Sequence, residues 1–129
     1  LAERLQLRGS GLWHRAHTPA GTAWLRERIG GPAEVVVASI LADKDADAML
    51  EDLAALAPRL VATASDNPRA LPAEQLAMRA APYFAQVELE PHPHRALARA
   101  RESSTGLILV TGSLYLLANL AKAEEQGVR

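Results

Sequence analysis

Clusters of polar residues close four short apolar runs of this chain: His14-Arg15-Ala16-His17-Thr18-Pro19, Ala42-Asp43-Lys44-Asp45, Ser65-Asp66-Asn67-Pro68-Arg69-Ala70-Leu71 and Thr111-Gly112-Ser113. Their chemistry suits the capture of a polar ligand. A neutral imidazole offers one donor and one acceptor, and a hydroxyl beside the free N–H groups that open a helix can meet a carboxylate. Each residue also has a plainer role open to it. His17 is a ligand contact or a surface loop residue. His14, beside Trp13 and Arg15, is a ligand contact or a structural strand end. Asp43 and Asp45 form an acid pair, or Asp45 caps a helix N-terminus. Lys44 pairs locally or lines a cleft, and Arg69 is a ligand contact or a rim charge. His92 and His94 flank Pro93 with no third ligand nearby, the pattern of solvated loop histidines, and no metal site is expected.

The elements that must position these clusters follow from hydrophobic spacing. Gly106-Leu107-Ile108-Leu109-Val110 is an apolar run that stops at Thr111-Gly112-Ser113, the pattern of a strand buried on both faces. Arg4 to Leu7 alternates, Gly9-Ser10-Gly11 follows, and Leu12-Trp13-His14-Arg15 resumes, which predicts an antiparallel hairpin. Thr18-Pro19 opens a helix to about Arg28, with Trp24 and Leu25 in the core. Val35 to Ala38 is a second buried strand, and Asp45 to Leu56 a helix whose Met49, Leu50, Leu53 and Leu56 make one apolar stripe. Strands at Leu60 to Thr63 and Val87 to Leu89 alternate with helices at Pro72 to Ala81 and Pro93 to Arg101. A last helix runs from Ser113 to about Glu124. Such alternation implies right-handed crossovers and a mostly parallel sheet between two helical layers. In such a sheet all four clusters lie along the carboxyl edge, where ligands gather.

The chain has 129 residues, enough for one domain that removes about two-thirds of its unfolded surface from water. Its 14 basic and 15 acidic residues give a formal charge of −1, with no long run of one sign. A nucleic-acid or membrane footprint is therefore not expected. There is no cysteine, no apolar stretch near the ~18 residues that cross a bilayer, and no leader-like segment, so a cytoplasmic setting is the default. The chain begins at Leu1 within a strand-like run, which leads us to expect a segment of a longer polypeptide.

Taken in order, these segments resemble the C-terminal domain of the folylpolyglutamate synthases, which in many bacteria are also dihydrofolate synthases and belong with the Mur ligases. The resemblance rests on Glu3-Arg4-Leu5 (family G-R-[FL]), His14 to Pro19 (D-x-A-H-N-P), Leu41 to Asp45 (L-x-D-K-D), Asn67-Pro68-Arg69-Ala70 (N-P-R-A) and Val110-Thr111-Gly112-Ser113-Leu114-Tyr115 (V-[TC]-G-S-[LF]-[YH]). It covers the whole chain, and the D-K-D and G-S-L-Y segments are its most specific parts. It implies a Rossmann-like three-layer α/β domain over residues 1–129. It also implies an enzyme that joins L-glutamate to a folate or dihydropteroate, with ATP forming an acyl phosphate that the amine attacks. No G-x-x-x-x-G-K-[ST] occurs here to cradle a triphosphate, and the resemblance implies that ATP phosphates and Mg are held by a separate N-terminal ATPase domain. On its own the chain is then expected to be inactive. By motif match, Arg4, His14 and His17 would approach the nucleotide, His17 and Ser113 would take part in catalysis, and Ser113, with Lys44 and Arg69, would hold the substrate.

The sequence departs from the family twice in one loop. The acid that meets the ribose is His14 here, and the Asn is Thr18. A carboxylate accepts ribose hydroxyls with charge assistance, and a neutral imidazole does not. Two alternatives stand beside the synthase reading: a Mur-type ligase for a cell-wall precursor, and a non-catalytic binding domain derived from the ligase.

Overall fold

A computed structural model of the chain describes residues 5–8, 11–14, 20–21, 33–111 and 114–125; in 5–8, 11–14, 114–115 and 122–125 it describes the backbone alone. Strands β1 (Leu5–Arg8), β2 (Gly11–His14), β3 (Val35–Ala38), β4 (Arg59–Ala62), β5 (Gln86–Leu89) and β6 (Ile108–Thr111) form one sheet in the order β1-β2-β6-β3-β4-β5. β1 pairs antiparallel with β2, Leu5 opposite His14. All the other pairings are parallel. Helices α1 (Ala46–Ala54), α2 (Ala73–Ala80) and α3 (Pro93–Ser103) connect β3 to β4, β4 to β5 and β5 to β6, and α4 (Leu114–Glu125) follows. The expected helix from Thr18 to Arg28 lies outside the described residues except for Ala20 and Gly21, which are helical. Trp24 and Leu25 also lie outside them.

Residues of the central strands divide by alternation between two cores. Val36, Ala38, Leu60, Ala62 and Leu109 pack with Met49, Leu50 and Leu53 of α1 and Leu76 and Ala80 of α2. Val35, Val37, Val61, Ile108 and Val110 pack on the other face with Ala96, Leu97 and Ala100 of α3 and Leu116 and Leu120 of α4. Every residue of β3 and β6 is buried, as strands covered on both sides must be. The chain steps from β3 to β4 to β5 in one direction, then α3 carries it back so that β6 lies on the far side of β3. Crossovers of one hand that run in opposite directions place their helices on opposite faces, which accounts for the two layers.

Local signals set the helix ends. Asp45 caps α1, its carboxylate accepting the Ala48 N–H at 3.1 Å, and Pro93 opens α3. The last expected turn of α1 tightens, with Ala55 N–H on the Asp52 carbonyl and Leu56 N–H on that of Leu53. At α3 the helix runs past Arg101 to Ser103. The Ser103 hydroxyl bonds the Arg99 carbonyl at 2.8 Å and is bonded in turn by the Arg59 guanidinium at 2.7 Å.

At the amino edge of the sheet, Glu34 clamps the turn that leads into β6. Its Oε2 accepts from the Ser104 hydroxyl at 2.8 Å and from Gly106 N–H at 2.6 Å. A side chain at Gly106 would displace this carboxylate, since a Cβ there would stand 2.7 Å from that oxygen. The Ser104 hydroxyl first, then the Gly106 amide, with a further amide at Thr105 and the charge of Arg59, hold the Glu34 carboxyl below the usual carboxylate range against the opposing effect of burial. A lowered pKa stabilises the fold above the unfolded carboxyl value and is lost as pH falls through the folded one. Glu34→Gln should therefore melt lower than wild type at pH 7, with the gap narrowing below about pH 4. A gap that stays constant down to pH 3 in thermal melts would show that the clamp does not depend on the charge.

Candidate functional site at the carboxyl edge of the sheet

β3 and β6 are neighbours from which the chain departs to opposite faces, α1 on one side and α4 on the other. This is the switch point at which open α/β sheets bind ligands. Val37 stands opposite Val110 and Ala38 opposite Thr111, and on the far side Trp13 stands opposite Val110. The strand ends carrying His14, Thr111 and Ser39 are thus adjacent along the edge. Ser113 lies in the sequence between Thr111 and the first residue of α4. Arg4, His17 and Ser113 are outside the described residues, and of His14 the backbone alone is described.

The loops after β3 and β4 meet beside the switch point. Leu41 bridges antiparallel to Ala70, with Ala42 N–H donating to the Arg69 carbonyl at 2.7 Å and Leu71 N–H to that of Ile40 at 2.9 Å. The Asn67 side chain accepts the Arg69 N–H at 2.8 Å, an Asx turn that shapes the loop. The Arg69 guanidinium lies 3.2 Å from the Asp43 carboxylate, both side chains at least half exposed. Such an exposed pair adds little stability, and it leaves Arg69 donors free for an incoming carboxylate. Lys44 is half-buried in the turn before α1 and forms no ion pair among the described residues. Thus Asp43 and Arg69 come together, Lys44 follows Asp43 in the chain, and Asp45 serves as the helix cap.

Three buried hydroxyls line the same edge. Thr63, Ser65 and Thr111 have side-chain oxygens without a hydrogen-bond partner among the described residues. Buried polar groups are ordinarily satisfied, so this edge holds spare hydrogen-bonding capacity.

His92 is exposed and His94 half-buried, in keeping with solvated loop histidines, and both rings edge an open pocket. His92 and His94, with ring centroids 6.2 Å apart, line a pocket of about 370 Å³ with Ala64, Asp66, Pro91, Pro93 and Asn119. Among the described residues no group of three or more His, Cys, Asp or Glu is placed to hold a metal ion. Neither Ser39, Thr63 nor Asn119 stood out in the sequence. Each is a single polar residue in an apolar stretch, and only the sheet order brings it to this edge.

Comparison with protein-family models and with curated protein sequences gives no match. Comparison with solved structures does. Folylpolyglutamate synthase of Mycobacterium tuberculosis complexed with ADP superposes with a TM-score of 0.75 and 27% sequence identity over 88% of this chain. E. coli FolC in complex with DHPP and ADP gives 0.83 and 21% over 98% of the chain. The bifunctional folylpolyglutamate synthase/dihydrofolate synthase with Mn, AMPPNP and L-glutamate bound gives 0.80 and 22% over 97%. The chain shares its fold with the folylpolyglutamate synthases. It spans under a third of their length: 29% of the Mycobacterium chain and 32% of the other two. The Rossmann-like α/β layering expected from the sequence is that of this part of the synthase fold. No helix among the described residues is long and apolar enough to cross a membrane.

Proposed function

We propose that this chain is the C-terminal domain of an ATP-dependent amide ligase that adds L-glutamate to a folate or dihydropteroate in the cytoplasm. The observation that carries the reading is the likeness to synthase structures across nearly the whole chain but under a third of theirs. It is supported by the positions of the D-K-D and N-P-R-A segments, which meet at the switch point through the Asp43–Arg69 pair. ATP, with Mg, would supply the phosphoryl group that converts the acceptor carboxylate to an acyl phosphate, both being held by a separate N-terminal ATPase domain. The part left to this chain is to bind, orient and exclude water. Arg4, His14 and His17 would meet the adenosine side of the nucleotide. Ser113, Lys44 and Arg69 would hold the glutamate carboxylates, with His17 beside both ligands. A dianionic amino acid and an acyl phosphate must meet away from water, and a domain that closes over the other half meets that need.

The test separates the two halves. The chain alone should bind ATP no more tightly than millimolar and turn over none, since adenosine contacts without phosphate contacts forgo most of the charge-assisted hydrogen bonds. Joined to its ATPase domain it should ligate glutamate. Calorimetric titration checks the first point, and a micromolar Kd for ATP on this chain would overturn the division of labour. His14 and Thr18 favour one second reading, a binding domain without catalysis, and a full-length protein that binds nucleotide yet forms no amide would establish it.

A further inference from the structure

The loop after β4 is held from outside at two successive amides. Ser65 N–H donates to the Ser39 hydroxyl at 2.9 Å, and Asp66 N–H donates to Asn119 Oδ1 at 2.9 Å. Ser39 follows β3 and Asn119 lies on α4, so two elements distant in sequence grip adjacent peptide units. The remainder of the loop continues the chain of bonds through Asn67 to Arg69 and from Arg69 to Asp43. The strand order makes the Asn119 bond informative. β4 and β6 are not neighbours, because β3 lies between them, and no ladder joins them directly. Asn119 supplies a direct tie between the β4 loop and the helix that follows β6. Asn is a weak helix former, and its place in the sixth position of α4 leaves no capping role open to it.

We propose that Asn119 is a positioning residue: by accepting the Asp66 N–H it sets the distance between α4 and the β4 loop, whose Arg69 the loop after β3 already holds through the Ala42 N–H. This rests on the reading above, in which Arg69 and Ser113 hold one substrate from two loops. A substrate clasped from both sides is sensitive to slack between them.

The experiment uses the full-length protein. Asn119→Ala should raise the KM for glutamate roughly three- to tenfold, the equivalent of one net hydrogen bond, with kcat and the KM for ATP within twofold. Alanine favours the helix, so the fold should persist. Amide exchange in the segment from 64 to 71 should quicken by about tenfold. Asn119→Asp, which keeps an acceptor oxygen at the same place, should restore most of the glutamate constant, because its charge-assisted bond to the Asp66 N–H offsets repulsion by the exposed Asp66 carboxylate. Faster exchange with an unchanged glutamate constant overturns the proposal, leaving a tie that only stabilises. So does an equal rise in both substrate constants that Asp does not rescue. A wild-type protein that ligates no glutamate removes the ligase reading instead, and the exchange data then report whether Asn119 holds the loop at all.

Discussion

Leu109→Ala should destabilise this domain by about 2–5 kcal/mol, a large part of the 5–15 kcal/mol typical of a whole domain. Leu109 has no solvent exposure and lies in β6, between β2 and β3 at the centre of the sheet. It belongs to the core on the face that α1 and α2 cover, and the strands on either side of it resist collapse of the cavity. In thermal melts the loss corresponds to roughly 10 °C or more. Met78, an apolar residue of similar size on α2, is 75% exposed, and its replacement by alanine should stay within about 0.5 kcal/mol. Chemical denaturation of the two variants side by side gives the comparison. Equal costs would mean that β6 is not the centre of the core.

Why β6 could be found in the sequence and its place in the sheet could not is a matter of range. The four aliphatic residues Leu107 to Val110, bounded by Gly106 and Thr111-Gly112, mark a doubly covered strand wherever it sits. Likewise Met49, Leu50 and Leu53 mark one face of α1, and Asp45 marks its start, because the bonds involved span three or four residues. The strand order has no such local signature. It depends on α3 passing back across one face of the sheet, and that follows from the handedness of the connections and the packing of Ala96, Leu97 and Ala100, not from any short pattern. The extension of α3 to Ser103 has the same origin, since Arg59, 44 residues away, holds its last turn.

The candidate site was legible to a similar depth. Each polar cluster was visible as a strand exit, and the parallel sheet brings those of β3 and β4 to one edge. The pairing of Arg69 with Asp43 was not visible; it ties Asp43 to the neighbouring loop, while Asp45 is a cap. Asn119 gave no sign, because its partner is 53 residues away and nothing in the stretch from Leu116 to Leu120 marks its amide as a tie. The spacing of His92 and His94 marks them as loop histidines, and one is exposed and the other half-buried. Their pocket arises from the approach of the β4 loop and α4, neither of which is near them in sequence.

Ser113→Ala in the full-length protein should raise the KM for glutamate about ten- to a hundredfold and leave that for ATP nearly unchanged. The size follows from the loss of one hydroxyl contact to a charged ligand, roughly 1.5–3 kcal/mol. The direction follows from the position of Ser113 in the chain. It comes two residues after the end of β6, which lies beside β3 at the switch point, and directly before α4, whose first amides have no partners within the helix. A carboxylate brought there gains both the hydroxyl and the helix N-terminus, whereas the nucleotide would be met by Arg4, His14 and His17 at the other exit. The plainer role predicts something different. If Ser113 only caps α4, alanine costs about 1 kcal/mol of stability and glutamate kinetics do not change. Melting temperature and steady-state constants for both substrates, measured on the same preparation, separate the two. A lowered melting point with an unaltered glutamate constant would remove Ser113 from the site and leave Lys44 and Arg69 as its carboxylate contacts.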